Sequence, residues 1–283
     1  MNESYPPLPA GHDSPPPPTS GPGWKRYLTP LIAALVIGVQ FFGKLKFLIL
    51  PALKFVPVIL KTGGSMILTI WLYAMVWGWP FAVGFVLLIF VHEGGHLVAA
   101  RWCGLKVGAP VFIPFMGALI ALKEAPKNAW IEAVVGIGGP MAGMAGALVC
   151  HNVYVLTGHP MWLGLAYSGY FLNLFNLTPI TPLDGGRIVA ALTPWLWIPG
   201  LGMLVWFMFD HGPNFVLIII LIASLPQVWR LFWSKTDEER RYFELAPRQR
   251  IIMGVSYFAL AAFLFYQMHN SMAELQSLGH WKH

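Results

Sequence analysis

Residues 92 to 96 read His-Glu-Gly-Gly-His inside an otherwise apolar stretch, "GFVLLIFVHEGGHLVAARW", residues 84 to 102. Histidines four residues apart on a helix stack on one face, so His92 and His96 can reach the same metal ion. Glu93 is rotated about 100° from His92. Its carboxylate therefore points toward the open side of such a metal, where a general base would act on water. Neutral imidazoles suit zinc, and three protein ligands plus a water make a catalytic zinc site. The ordinary alternative is a pair of core histidines satisfied by helix carbonyls. It fits poorly, because ionisable side chains in an apolar helix need specific partners to offset their desolvation.

Two histidines leave a third ligand to be found. Between residues 14 and 236 the only aspartates are Asp184 and Asp210. Asp210 lies in "DHGPN", where an aspartate ordinarily forms or caps a turn. Asp184 lies in "NLFNLTPITPLDGGRIVAAL", residues 173 to 192. Pro179 and Pro182 keep the chain extended up to it, and a short helix is predicted to follow. Asp184 reads both as a helix N-cap and as the best-placed third ligand. Asn173, one turn before Asn176, reads equally well as a polar contact or as a helix-packing amide.

These residues need elements to carry them. Hydrophobic residues make up 57% of the 283-residue chain and charged residues only 11%, against about 25% charged in soluble domains. The apolar runs are long and do not alternate, which excludes a membrane β-barrel and predicts an all-α polytopic membrane protein. The net charge of +6 follows the loops. It carries no aromatic interleaving, so partners in the bilayer are expected and nucleic acid is not. Cys103 and Cys150 are too few and too far apart for a disulfide framework or a cysteine metal site.

Along the chain, residues 1 to 24 read as a disordered Pro-rich tail with no apolar signal region. Residues 25 to 64 form an N-terminal apolar and interfacial segment, with 44 to 61 punctuated by lysines and Gly63–Gly64 breaking the chain. Residues 65 to 195 form a catalytic transmembrane core. Within it, helices over 65–79 and 81–102 turn near "WGWP", and further helices cover 131–157 and 161–178. Residues 105 to 128 are too rich in Gly and Pro to span and read as a short re-entrant β-hairpin or loop. Residues 196 to 268 supply the C-terminal transmembrane helices, giving about six in all, and 269 to 283 form a tail. The basic residues Arg101, Lys106, Lys123 and Lys127, and the cluster from Arg230 to Arg250, are expected on the cytoplasmic side.

"HEGGH" at 92–96 together with "NLTPITPLDGG" at 176–186 resembles the site-2 protease family of intramembrane zinc metalloproteases. Its paired signature is HExxH on one membrane helix and N-x-x-P-x-x-x-L-D-G on another. Asn176, Pro179, Leu183, Asp184 and Gly185 match that second pattern. The resemblance implies one Zn2+ per chain held by His92, His96 and Asp184, with Glu93 as general base and Asn176 contacting substrate or oxyanion. It implies hydrolysis of a peptide bond in or near a transmembrane segment of a membrane protein substrate. The setting would be a multi-pass protein, in a bacterial plasma membrane, with its active site toward the cytoplasm. Residues 105 to 124 resemble the family's membrane-embedded β-loop, against which a substrate strand would pair. The chain departs from the family at Gly94–Gly95, where a bulky residue is common, and at Gly143 in "GGPMAG", where Asn is common. No PDZ-sized or CBS-sized segment is visible, so a compact form is expected. The rival readings are a metal transporter and an inactive scaffold. A transporter should string its polar residues along several helices. Here they converge, and Glu93 is intact.

Overall fold

The computed structural model describes residues 56–108, 111–113, 117–119, 124–212, 215–233 and 236–279. The expected tail 1–24, most of the 25–64 segment and the end of the C-terminal tail lie outside the described residues. The chain divides into two units, Met1–Val56 and Pro57–His283, and the elements below lie in the second apart from the first residue of α1.

Helices dominate: α1 (Val56–Trp77), α2 (Trp79–Trp102), α3 (Ala129–Thr157), α4 (Pro160–Asn176), α5 (Asp184–Ala190), α6 (Trp197–His211), α7 (Phe215–Arg230), α8 (Asp237–Tyr242) and α9 (Pro247–Ser277). Two short strands, β1 (Val111–Ile113) and β2 (Gly117–Leu119), pair antiparallel with Phe112 opposite Ala118. Three helices, α2, α3 and α9, are long and apolar enough to cross a membrane, and Thr62–Trp77 and Phe215–Arg230 are shorter apolar helices. The chain is a mostly helical integral membrane protein.

Several boundaries differ from the sequence reading. Gly63 and Gly64 do not break the chain but lie inside α1. The break comes at Gly78, whose φ of 81° is open to glycine at little cost and separates α1 from α2. The last helix continues to Ser277, well past residue 268, into what the sequence presents as a tail. Asp210 lies in the final turns of α6.

The helix carrying the histidines is closed by a Schellman motif. Gly104, at φ 77°, donates to the Arg101 carbonyl and Leu105 donates to Ala100. Leu105 then packs on Ala100 and Val135, fastening the end of α2 to α3. At the start of α3, Asn128 accepts from the Ile131 N–H and caps the helix. Along α2, Ala82, Val86, Ile89, His92, Glu93 and His96 are buried, whereas Val83, Leu87, Phe90 and Val98 are exposed. One face therefore suits lipid and the other turns into the bundle.

In hydrocarbon, helix association rests on close packing rather than on hydrophobic transfer. The glycines supply that closeness. A Cβ on Gly95 would overlap the Gly138 carbonyl and Ala142, and a Cβ on Gly138 would overlap Ala99 and the Gly95 carbonyl. The hairpin is tied to α1 by the Phe112 N–H, which donates to Ser65 Oγ at 3.1 Å, and its Phe112 ring stacks on Phe90.

Candidate metal centre

Three side chains from two helices meet at the buried face of α2. His92 and His96 come from the middle of that helix and Asp184 from the first residue of α5. All three are buried. His92 Nε2 and His96 Nε2 lie 3.1 Å apart. Asp184 Oδ2 is 3.2 Å from the first and 3.1 Å from the second. A small tetrahedral ion bound at about 2.0–2.1 Å needs ligand atoms about 3.3–3.4 Å apart. The donor set and its spacing fit such an ion, and these three residues are the one group of that kind among the described residues.

The two imidazoles are fixed from behind. His96 Nδ1 lies 2.7 Å from the Val135 carbonyl, which can only accept. His92 Nδ1 lies 2.7 Å from Asn173 Oδ1, while Asn173 Nδ2 donates to the Gly169 carbonyl at 2.7 Å. That second bond sets the amide, so Oδ1 accepts from His92. Both rings then carry their proton on Nδ1 and present the Nε2 lone pair to the same point.

Space for these side chains is cut into α3. A Cβ on Gly139 would overlap the His96 ring, and one on Gly143 would overlap the Asn173 amide. Gly139 and Gly143, one turn apart on α3, thus make room for the site itself. At position 143 the resemblance leads us to expect Asn. Here the amide occupying that space belongs to Asn173 of α4.

Asp184 is delivered by the glycines that follow it. A Cβ at Gly185 would overlap the Leu177 carbonyl, and one at Gly186 would meet the Ile180–Thr181 backbone. The start of α5 therefore seats directly on the preceding loop. Trp197 Nε1 donates to the Gly186 carbonyl at 2.9 Å, and Tyr257 Oη donates to the Leu177 carbonyl at 2.6 Å. The N-cap of α5 is Leu183, with no side-chain cap bond. Asp184 is therefore not the N-cap that its sequence position allows, and its carboxylate turns to the histidines.

Glu93 is buried next to His92 on the same helix. Its carboxyl makes no hydrogen bond to the described residues. Asn176 is half-buried at the end of α4 and does not join the His92 network; Asn173 does. Of the other histidines, His159 caps α4 by accepting from Met161 N–H, and His269 stacks on Phe265. Neither they nor Asp210 join the cluster.

Residues 80–163 match the model of peptidase family M50. The zinc metalloprotease MJ0392 of Methanocaldococcus jannaschii is 32% identical over 119 residues, covering 39% of this chain and 34% of that protein. Stage IV sporulation protein FB of Bacillus subtilis is 28% identical over 110 residues, covering 38% of each. The chain thus spans about a third of the length of these curated relatives. The M50 match covers both histidines and the glycines of α3 that make room for the site, and this part of the chain is similar to peptidases of that family.

Proposed function

We propose that the protein is an intramembrane zinc metalloendopeptidase. It hydrolyses a peptide bond within or near a transmembrane segment of a membrane protein substrate. The observation that carries this reading is the convergence of His92 Nε2, His96 Nε2 and Asp184 Oδ2 at 3.1–3.2 Å, with both imidazoles held from behind. The names of the relatives supply the metal's identity.

In this reading His92, His96 and Asp184 hold one Zn2+. Bound zinc would supply Lewis-acid activation of water and of the scissile carbonyl. Glu93 accepts a proton from the attacking water and returns it to the leaving amine. The carboxyl is suited to the task because no bond to the described residues engages it. Asn176, at the end of α4 just ahead of the Asp184 loop, contacts the substrate backbone or the developing oxyanion. The β1–β2 hairpin is the edge on which an unwound substrate strand pairs, because helical peptide bonds are shielded by their own hydrogen bonds.

The wider setting is proposed on the same footing. Residues 65–195 form the catalytic core and 196–268 the C-terminal helices, with about six spans in all and the hairpin re-entering the membrane. The basic residues after α2 and around α8 support a site toward the cytoplasmic side of a bacterial plasma membrane.

Replacing Glu93 by Gln tests the reaction. The variant should bind zinc as the wild type does and cleave a transmembrane substrate at least about a hundredfold more slowly. Equal cleavage by both proteins would remove Glu93 from the mechanism.

A further inference from the structure

Arg187 follows Asp184 by three residues in α5, so the two side chains are neighbours on one helical face. A guanidinium in that position can fork onto the carboxylate. It would then occupy the oxygen that a metal ion needs. In the structure Arg187 is turned elsewhere. Its Nε lies 3.5 Å from Glu132 Oε1, in the first turn of α3. The second carboxylate oxygen of Glu132 accepts from Tyr242 Oη at 2.5 Å. The Arg187 and Glu132 side chains are only about a quarter exposed (25% and 27%). Burial, and then the bond to Glu132, hold the Tyr242 phenol above its ordinary range, so it remains a donor.

Tyr242 ends α8, the "DEERRY" helix. That helix starts with a capping box between Thr236 and Glu239. Just past its end, the Phe243 carbonyl accepts from Arg250 Nη2 at 2.8 Å, and Arg250 Nη1 donates to the Leu192 carbonyl beyond α5. One arginine of α9 thus ties the segment bearing Tyr242 to the segment bearing Asp184. Glu132 sits one turn before Val135, whose carbonyl fixes His96. A single turn of α3 therefore touches two of the three arms of the centre.

We propose that Glu132, oriented by Tyr242, is a positioning residue: it holds Arg187 away from Asp184 and so keeps the carboxylate free for the metal. This rests on Asp184 being a zinc ligand, as proposed above. Arg187 is then a built-in competitor for its neighbour, kept occupied by a carboxylate from another helix.

The test measures zinc affinity of the purified full-length protein by competition with a chromophoric chelator, and cleavage separately. Glu132→Gln should weaken zinc binding about 10–100-fold, the range typical of lost support around a ligand. Arg187→Gln should stay within about threefold of wild type, since no competitor then remains. The double variant should recover to about that level. Tyr242→Phe should weaken binding by less than Glu132→Gln, and add nothing in its background. A double variant as weak as Glu132→Gln, or a Glu132→Gln that binds like wild type, overturns the proposal. Should Glu132→Gln fail to fold, the proposal stands only if Tyr242→Phe weakens binding and Arg187→Gln restores it in that background. Zinc binding that survives Asp184→Ala would instead overturn the ligand assignment beneath it. Zinc binding without any cleavage would overturn only the peptidase reading.

Discussion

His92 and His96 sit one turn apart on the same helix, yet they are anchored in opposite ways. His96 leans on α3 through main-chain atoms: the Val135 carbonyl accepts its proton, and Gly139 leaves room for its ring. His92 leans on α4 through a side chain, Asn173, which is itself held by a main-chain carbonyl. The α2–α3 contact is therefore a seam of backbone against backbone. The α2–α4 contact at the site is a polar side-chain bridge. A seam built of glycines and alanines has little to truncate and fails by overfilling. The bridge fails by deletion.

The largest effects should come from overfilling the seam. Gly95→Val and Gly139→Val each force a branched side chain into backbone or into the His96 ring. Overpacking costs about 1–3 kcal/mol even where neighbours can yield, and backbone yields least. Both variants should lose much of the folded protein, read as a fall in thermal midpoint and in monodisperse yield. A Gly95→Val protein as stable as wild type would show that the seam is looser than described.

Deleting the bridge should be milder for the fold and selective for the metal. Asn173→Leu removes the acceptor for His92 and frees its tautomer. Zinc affinity should fall about 10–100-fold while most of the helix packing survives. Asn173→Asp keeps an acceptor and should lose less. If the leucine variant binds zinc as tightly as wild type, the two anchors are not equivalent in function.

The smallest effect should come at Gly94. Apart from its own stretch of helix, no atom of the described residues lies within 4 Å of a Cβ built there, so the seam does not require this glycine. Gly94→Ala should leave stability unchanged or raise it by up to about 1 kcal/mol, the helix-propensity difference. Its neighbour Gly95→Ala, which meets the Gly138 carbonyl, should lower it. The pair measured side by side by thermal unfolding sharpens the contrast; a matched response at both positions would erase it.

Much of this site is legible in the sequence because its ligands follow simple geometry. An i, i+4 histidine pair on an apolar helix needs little more than helical periodicity, and Asp184 stands out where aspartates are scarce. The end of the histidine-bearing helix at Trp102 is read correctly, whereas the next helix starts at Ala129, two residues before the expected 131. The supporting groups are another matter. Asn173 and Asn176 look alike in sequence, and only the packing of α4 against α2 decides which reaches His92. Val135 contributes a carbonyl, which no side-chain pattern reveals. Gly94 and Gly95 form one motif spacer, yet the direction each faces separates a packing requirement from a free position. Gly63 and Gly64 read as breakers, but they lie inside α1, because glycine weakens a helix without removing its hydrogen bonds. The "DEERR" run looks like a solvated face because Glu132, the residue its helix reaches through Tyr242, lies 110 positions away.

The most direct measurement of the central claim is the zinc content of the purified protein, by elemental mass spectrometry, beside three single variants: His92→Ala, His96→Ala and Asp184→Ala. The account predicts about one zinc per wild-type chain, and near-complete loss in each of the three folded variants. A wild-type protein without zinc after metal-replete purification, or an Asp184→Ala protein that keeps it, would contradict the centre described here.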